Sequence, residues 1–365
     1  MRGVAVLGST GSIGESALAV LRRHPDRFRV VALTAGSNAK RLKEQVQEFS
    51  PSFAGMANGE GPECLVKAAT LPEADIVINA VVGFAGLDAT LAALTAGKRV
   101  ALANKESLVT AGPLVIAAAS TGGGEIIPVD SEHSAVLQCL AGSRAAPSRL
   151  VLTASGGPFR TWEPDRIAAA TVTEALKHPT WRMGSKISVD SATLVNKALE
   201  VIEAHFLFGL PYDRLDVVVH PQSVVHAFVE FDDGSMLAQL GVPSMELPIL
   251  YALTYPDRVG DQGTRRFDPE SAGPLTFEPV RGEVFRGFTL GLEMGRKGGS
   301  APTVFNAANE AAVAAFLEGR ISFGRIGELI ERVALGHAVE PVETVEAVRR
   351  ADTWARTRVR ELLGE

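Results

Sequence analysis

Three stretches of the chain carry residue types whose spacing could do chemistry. The first is Gly8-Ser9-Thr10-Gly11-Ser12-Ile13-Gly14, which follows the apolar run at 4–7 and precedes a helix-like stretch at 16–23. Glycines here permit a tight turn and let backbone N–H groups approach a pyrophosphate, while a helix N-terminus favours the anion. The spacing is G-x-x-G-x-x-G rather than G-x-G-x-x-G, so an ordinary strand–helix turn is the alternative. Its place directly after a buried run favours dinucleotide binding.

The second apolar run ends at Leu33. NAD enzymes commonly place a carboxylate near that point to accept hydrogen bonds from the ribose diol. Here Thr34-Ala35-Gly36-Ser37-Asn38-Ala39-Lys40-Arg41 contains none, and the first carboxylate is Glu44. Gly36, Ser37 and Asn38, followed by the basic pair Lys40 and Arg41, suit a 2′-phosphate, so NADPH is expected over NADH. The plainer reading of Lys40 or Arg41 taken singly is a solvated helix face.

Asp130-Ser131-Glu132-His133 forms the second stretch, after the fifth apolar run. In an extended chain, residues two apart point the same way. Asp130 and Glu132 would then offer paired carboxylates to a hard cation such as Mg²⁺ or Mn²⁺. Most D-x-E pairs are exposed turns. The C-terminal edge of a parallel sheet, where ligands bind, raises the significance of this one. The third stretch runs from Ile187 to Glu203. Its pattern predicts a strand at 187–189 and a helix over 192–208, with Ser191 at the helix N-terminus, a favourable place for phosphate. Asn196 and Glu200, four apart, share a face, and Lys197 adjoins Glu200 three residues on. The helix can thus present an amide, an ammonium and a carboxylate to one pocket, although on these residues alone an amphipathic helix with an ordinary Lys–Glu pair is the favoured reading. Asp190 and Glu203 could be ligands, caps or surface groups. Ser155-Gly156-Gly157 is a fair anion cradle, and Trp181 and Met183 sit in a loop that could close as a lid.

Elements able to position these residues can be read from the pattern. Short apolar runs at 4–7, 30–33, 76–80, 100–102 and 125–129 alternate with helical stretches at 16–23, 39–49 and 87–96. That alternation predicts an α/β fold whose first domain, 1–129, is doubly wound and binds NADP. Residues 130–255 read as a central α+β catalytic and metal-binding domain, with strands at 150–153, 187–189, 217–219, 224–231 and 235–240. A Gly-, Pro- and Arg-rich linker spans 256–287. A C-terminal helical domain, 288–365, carries helices at 302–318, 324–335 and 343–363.

The chain is 46% hydrophobic and 21% charged, as expected of a globular protein with a sizeable core. Its net charge of −6 gives no global basic field for nucleic acid. No stretch of 18 apolar residues predicts a membrane span, and the run at 4–7 is too short for a signal-peptide core. Cys64 and Cys139 are far apart and form no C-x-x-C pair. A zinc site or disulfide framework is therefore not expected, and a reducing, cytoplasmic setting is.

With these residues in view, the chain resembles the 1-deoxy-D-xylulose 5-phosphate reductoisomerase family. The resemblance rests on GSTGSIG at 8–14, LANKESLV at 102–109, VDSEHSA at 129–135, SGGPFR at 155–160, HPTWRMGSKISVDSATLVNKALE at 178–200, HPQSVVH at 220–226, LAQLG at 237–241 and NAANEAAVAAFL at 306–317. It implies metal binding by Asp130, Glu132 and Glu200, and contact of Ser131 and Lys105 with the reacting end of the substrate. It implies a phosphate set of Ser155, Ser191, Asn196 and Lys197 with His178 closing over it, and a flap containing Trp181 and Met183. It implies pyrophosphate contacts by Thr10, Gly11, Ser12 and Ile13, with Asn104, Glu106 and Gly184 as further cofactor contacts. His220 lies in a matching motif without an assigned role. The implied reaction rearranges an α-hydroxyketone phosphate by retro-aldol cleavage and re-addition to a branched aldehyde. NADPH then reduces it to 2-C-methyl-D-erythritol 4-phosphate, and the enzyme is a homodimer. Two departures stand out. The segment at 51–73 is short, and Ser37 stands where a basic residue often follows Gly36, so Lys40 or Arg41 is expected to substitute. The rival readings are another two-domain NADP enzyme, such as a homoserine dehydrogenase, and a redox-sensing nucleotide-binding protein.

Overall fold

A computed structural model describes residues 1–181 and 183–365. Contacts divide the chain into two compact units. Unit 1 comprises Met1–Ser107, Val115–Arg144 and Gln239–Asp268; unit 2 comprises Leu108–Leu114, Ala145–Ala238 and Pro269–Glu365. The boundaries expected at 129 and 255 both fall inside unit 1, because 239–268 returns to the core of the first unit.

The elements of unit 1 are β1 (Arg2–Leu7), α1 (Ser12–Arg23), β2 (Phe28–Ala35), α2 (Ala39–Phe49), β3 (Phe53–Met56), α3 (Ala57–Glu60), α4 (Glu63–Ala69), β4 (Ile76–Asn79), α5 (Leu87–Thr95), β5 (Arg99–Leu102), the two ends of α6 (Lys105–Gly122), whose Leu108–Leu114 is counted in unit 2, β6 (Glu125–Pro128) and α7 (Ser131–Leu140). The strands form one sheet in the order β3-β2-β1-β4-β5-β6, with every recorded pairing parallel. This is the doubly wound order, in which ligands bind beyond the strands' C-terminal ends, where the order reverses between β1 and β4. The five expected strands are present. β3, α3 and α4, between Pro51 and Leu71, lay outside the sequence pattern, as did α6. α6 is broken at Ala111 (φ −138°, ψ 30°), two residues before Pro113, so its helical periodicity is interrupted.

Unit 2 contains β7 (Arg149–Ala154), α8 (Pro164–Ala168), α9 (Val172–Ala175), α10 (Ser185–Ala192), α11 (Val195–Phe208), β8 (Leu215–Val219), β9 (Val225–Glu230) and β10 (Met236–Leu240). Its sheet runs β10-β9-β7-β8, with β7 parallel to β8 and antiparallel to β9. After α12 (Glu246–Thr254), which packs into the first unit's core, come α13 (Arg286–Lys297), α14 (Ala301–Leu317), α15 (Phe323–Leu335) and α16 (Val345–Leu363). These last four make the helical C-terminal region. α14 is its centre, with Val304, Phe305, Ala308 and Ala312 all at 0% exposure. An apolar side chain of leucine size buried this fully contributes roughly 1.5–3 kcal/mol.

Two sequence expectations are corrected. Residues 187–189 are not a strand but the middle of α10. α10 and α11 are separated at Leu194, which is left-handed at φ 57°. Ser191 therefore lies in the last turn of α10 and not at a helix N-terminus. Asp130 and Glu132 are not on extended chain either. Asp130 is the N-cap of α7, its carboxylate accepting from the Ser131 N–H at 3.1 Å, and Glu132 lies in the first turn.

Candidate active site

In unit 1 the expected cofactor residues gather along one sheet edge. The loop 8–14 leaves β1, Gly36, Ser37 and Asn38 leave β2, Asn104 precedes α6 after β5, and Asp130 follows β6. Gly8 has φ +78°, and a Cβ on it would lie 2.7 Å from the Ala80 carbonyl oxygen. On Gly14 a Cβ would lie 2.3 Å from the Gly8 carbonyl, so this glycine lets α1 close against the turn. At Gly11 only the Gly8 carbonyl comes near, at 3.4 Å, which leaves its outer face open for a ligand. These are the three duties that a dinucleotide loop asks of its glycines.

The 2′-phosphate turn separates the two basic candidates. The Arg41 guanidinium grips both oxygens of Glu15, at 2.6 and 2.8 Å, and reaches Glu44 at 2.8 Å. Hydrogen bonding to Arg41 holds the Glu15 carboxyl below its usual range. Buried Gln45 extends this network, accepting from Ser9 Oγ at 2.7 Å and donating to Glu15 at 2.9 Å. Arg41 is thus committed to bracing α2 on α1, whereas Lys40 is exposed beside Ser37 and Asn38. Asn38 caps α2, accepting from the Arg41 N–H at 3.1 Å.

Asn104 caps α6 and donates to the Val81 and Gly83 carbonyls at 2.9 and 2.8 Å and to Glu106 at 3.1 Å. Its side chain thereby clasps the turn after β4. Glu106 is 4% exposed and Lys105 9%. Lys105 Nζ lies 2.8 Å from Asp130 Oδ2. Asp130 and Glu132 each bring a carboxylate oxygen within 4.8 Å of the other, and the Ser131 hydroxyl donates to Glu132. The carboxylate pair is therefore present, although an N-cap and a first helical turn create it. His133 was missed by sequence reasoning. It is fully buried with Nδ1 4.0 Å from Asp130 Oδ2, and its position three residues past the N-cap was the available signal.

In unit 2, Gly156 and Gly157 are left-handed, at φ +83° and +67°. A Cβ on Gly157 would lie 2.5 Å from the Ser191 carbonyl oxygen, so this glycine allows the Ser-Gly-Gly turn to close on α10. The turn that carries Ser155 and the backbone at Ser191, far apart in sequence, meet in this way. Ser155 Oγ accepts from the Gly157 N–H at 3.2 Å and lies 2.9 Å from His178 Nε2. His178 Nδ1 accepts from the N–H groups of Thr180 and Trp181 at 3.1 and 2.9 Å. The proton of a neutral ring must therefore sit on Nε2, which donates to Ser155. Burial pushes the His178 pKa down to about 4, in keeping with that neutral form. With two donors already on its oxygen, Ser155 has its own hydroxyl proton left to give to an anion.

Trp181 and Met183 are half-buried, and the Trp181 ring lies 6.4 Å from that of His226. Arg182, within the same expected lid, lies outside the described residues. Gly184 is the N-cap of α10 and exposed. On α11 the expected trio is together. Asn196 and Lys197 both donate to the Glu200 carboxylate, which is 1% exposed, while Lys197 is 4% exposed. His220 is fully buried, stacks on Phe277 at 4.6 Å, and its Nδ1 donates to the Thr276 carbonyl at 2.8 Å. That geometry makes it a clamp on 276–278.

Models of 1-deoxy-D-xylulose 5-phosphate reductoisomerase match residues 4–61 and 59–112, and models of its C-terminal domains match 126–208 and 240–358. The chain is 49% identical over 381 residues to the 1-deoxy-D-xylulose 5-phosphate reductoisomerase of Geobacillus kaustophilus, covering 100% of both chains. It is 48% identical to that of Geotalea uraniireducens, covering 100% of this chain and 99% of the relative. A solved DOX-P reductoisomerase in complex with NADPH, fosmidomycin and magnesium superposes with a TM-score of 0.95 at 38% identity, over 100% of this chain and 98% of that one. The Zymomonas mobilis enzyme in complex with NADPH gives 0.89 at 41%, over 99% of each.

Proposed function

The chain belongs to the 1-deoxy-D-xylulose 5-phosphate reductoisomerase family, and from that premise we propose how its own residues carry the reaction. It is an NADP-dependent oxidoreductase that isomerises and reduces 1-deoxy-D-xylulose 5-phosphate to 2-C-methyl-D-erythritol 4-phosphate, using NADPH and a divalent cation. The homoserine-dehydrogenase-like and redox-sensor alternatives fall away. The observation that carries the site assignment is the gathering of the glycine loop, the carboxylate-free turn after β2 and the Asp130–Glu132 pair along one edge of one sheet.

Thr10, Gly11, Ser12 and Ile13 hold the pyrophosphate, while Gly36, Ser37 and Asn38 face the 2′-phosphate. Asn104 and Glu106 shape the cofactor's side of the pocket, and Gly184 borders it. Asp130, Glu132 and Glu200 form the cation's ligand set. All three offer carboxylate oxygens, the donors that magnesium or manganese prefers. When bound, the cation supplies Lewis acidity and alignment at the ketone and neighbouring hydroxyl oxygens, and NADPH supplies the hydride. Lys105 holds a proton at Nζ beside Asp130, and Ser131 orients the reacting end. Ser155, Ser191, Asn196 and Lys197 hold the remote phosphate, whose binding energy aligns the substrate. His178 stays neutral and keeps Ser155 oriented. Trp181 and Met183 close over the site and exclude water, which protects the reactive aldehyde. Incubating the purified protein with 1-deoxy-D-xylulose 5-phosphate, NADPH and Mg²⁺ tests this. Oxidation of NADPH should match formation of 2-C-methyl-D-erythritol 4-phosphate mole for mole, and its absence overturns the reading.

Cofactor choice gives a sharper expectation. With Arg41 committed to Glu15 and Glu44, Lys40 reads the 2′-phosphate. Lys40→Glu should raise the KM for NADPH roughly 10-fold or more, from the loss of a charge-assisted contact of about 1.5–3 kcal/mol, with little change for NADH. Arg41→Glu should chiefly lower Tm. The reverse pattern would reassign the phosphate to Arg41.

A homodimer belongs to this reading, supported by β10, a sheet-edge strand with Met236, Leu237 and Leu240 exposed. A monomer mass by sedimentation at micromolar concentration would count against it. No helix among the described residues is long and apolar enough to cross a membrane. Cys64 and Cys139 are free thiols, which supports a cytoplasmic location.

A further inference from the structure

The motif at 306–317 contributes nothing to the site described so far, yet its two asparagines lie on α14 at 0% exposure. Asn309 Nδ2 donates to Asp190 Oδ1 at 2.8 Å. Asp190, on α10, is 1% exposed, and its other oxygen lies 2.8 Å from Lys186 Nζ. Three residues before Asn309, Asn306 donates to Glu310 at 2.9 Å. Glu310 in turn accepts from Arg356 of α16 at 2.6 Å. A chain of polar contacts thus holds α10 to α14, and a parallel one holds α14 to α16.

Local helix stability does not explain this arrangement. Lys186 stands in the first turn of α10 and Asp190 in its last full turn. That order opposes the helix dipole, which favours acid at the N-terminus and base at the C-terminus. α10 has only eight residues, too few to hold a direction by itself. A carboxylate buried to this degree is costly unless its partners are well placed. The direction of α10 matters because Ser191 follows Asp190 directly, and the Ser191 carbonyl packs where a Cβ on Gly157 would sit. A small rotation of α10 would separate Ser191 from the Ser155 turn.

We propose that Asp190 and Asn309, with Lys186 on α10 itself balancing the buried carboxylate, are positioning residues of the phosphate site: the Asp190–Asn309 bond pins α10 to α14 and seats Ser191 against the Ser155 turn. This rests on the reading above that Ser155 and Ser191 hold the substrate's phosphate. The competing view is a core ion pair that serves stability alone.

The test uses the full-length enzyme and inorganic phosphate as probe, measured by calorimetric titration and as an inhibitor competing with substrate. Lys186→Met and Asp190→Asn should weaken phosphate binding and raise the KM for substrate about 5- to 10-fold. NADPH affinity, read from nicotinamide fluorescence, should stay within about twofold. Lys186→Arg should recover most of the lost affinity. Lys186 is part-exposed, so its variants test the idea even where Asp190→Asn does not fold. If Lys186→Met lowers Tm but leaves phosphate affinity and KM unchanged, the positioning role is overturned and the stability view stands. If wild-type enzyme binds no phosphate, the reading of the phosphate site fails, and the positioning role with it. If wild-type and Lys186→Met bind phosphate equally well, the site stands and only the positioning role fails.

Discussion

Exhaustive chelation of the wild-type enzyme should abolish turnover of 1-deoxy-D-xylulose 5-phosphate, and Glu200→Gln should lower kcat roughly 10²–10³-fold, the scale of losing one preorganised electrostatic element. Glu200 is 1% exposed and carries the donors of Asn196 and Lys197. Gln keeps the shape and can still accept from Asn196, but it leaves the buried Lys197 ammonium without its counter-charge, so Tm should also fall and kcat is read below the variant's own melting range. The lost charge is the one needed to balance a cation, and metal affinity should fall with it. Three carboxylates assembled without a cation repel one another, and the cation removes that cost. The rearrangement depends on the cation more than hydride transfer does. Supplying the branched aldehyde directly should therefore restore part of the activity of Glu200→Gln. Full turnover by chelated wild-type enzyme would remove the metal assignment, and the proposed roles of Asp130 and Glu132 would go with it.

Lys197→Met is expected to have the second largest effect, through two routes that can be separated. Lys197 is 4% exposed with its ammonium against Glu200. Removing one partner of a buried pair leaves the other charge uncompensated, at a cost of about 3–5 kcal/mol. That route harms every substrate alike. If Lys197 also binds the phosphate, losing a charged hydrogen bond costs a further 1.5–3 kcal/mol or so, which is roughly a 10- to 100-fold additional fall in kcat/KM for the phosphorylated substrate. Comparing 1-deoxy-D-xylulose 5-phosphate with its unphosphorylated counterpart isolates the difference. An equal fall for both would restrict Lys197 to supporting Glu200.

The parallel sheet and the glycine loop were legible because buried parallel strands leave unbroken apolar runs bounded by turn residues. β3 was missed because Phe53-Ala54-Gly55-Met56 breaks its apolar run with Ala and Gly, holds no β-branched residue and buries only Gly55. α10 was misread in part because Ile187-Ser188-Val189 alternates as a strand would, and only tertiary contacts make it helical. Nothing in Leu194 announces a left-handed residue, so the split between α10 and α11, and with it the true place of Ser191, was invisible. Asp130 could have been recognised as an N-cap, since Asp is favoured there and helix-forming residues follow. Its nearness to Glu132 was anticipated from the wrong geometry. The commitment of Arg41 to Glu15 depends on two helices meeting, which spacing along the chain does not encode.

The first unit's discontinuity bears on how the chain is made. Its sheet is complete once β6 has been synthesised, but Ile249, Leu250, Ala252 and Leu253 of α12 belong to the same apolar core as Val4, Val6 and Leu18. α12 is translated roughly a hundred residues later. At ribosomal rates of about 5–20 residues per second, the nascent nucleotide-binding sheet waits for some seconds with the face that α12 will cover open to water. During that interval the second unit's strands are emerging beside it, so order of synthesis and order of core completion differ. A chain released before α12 would carry an intact glycine loop on an unfinished core.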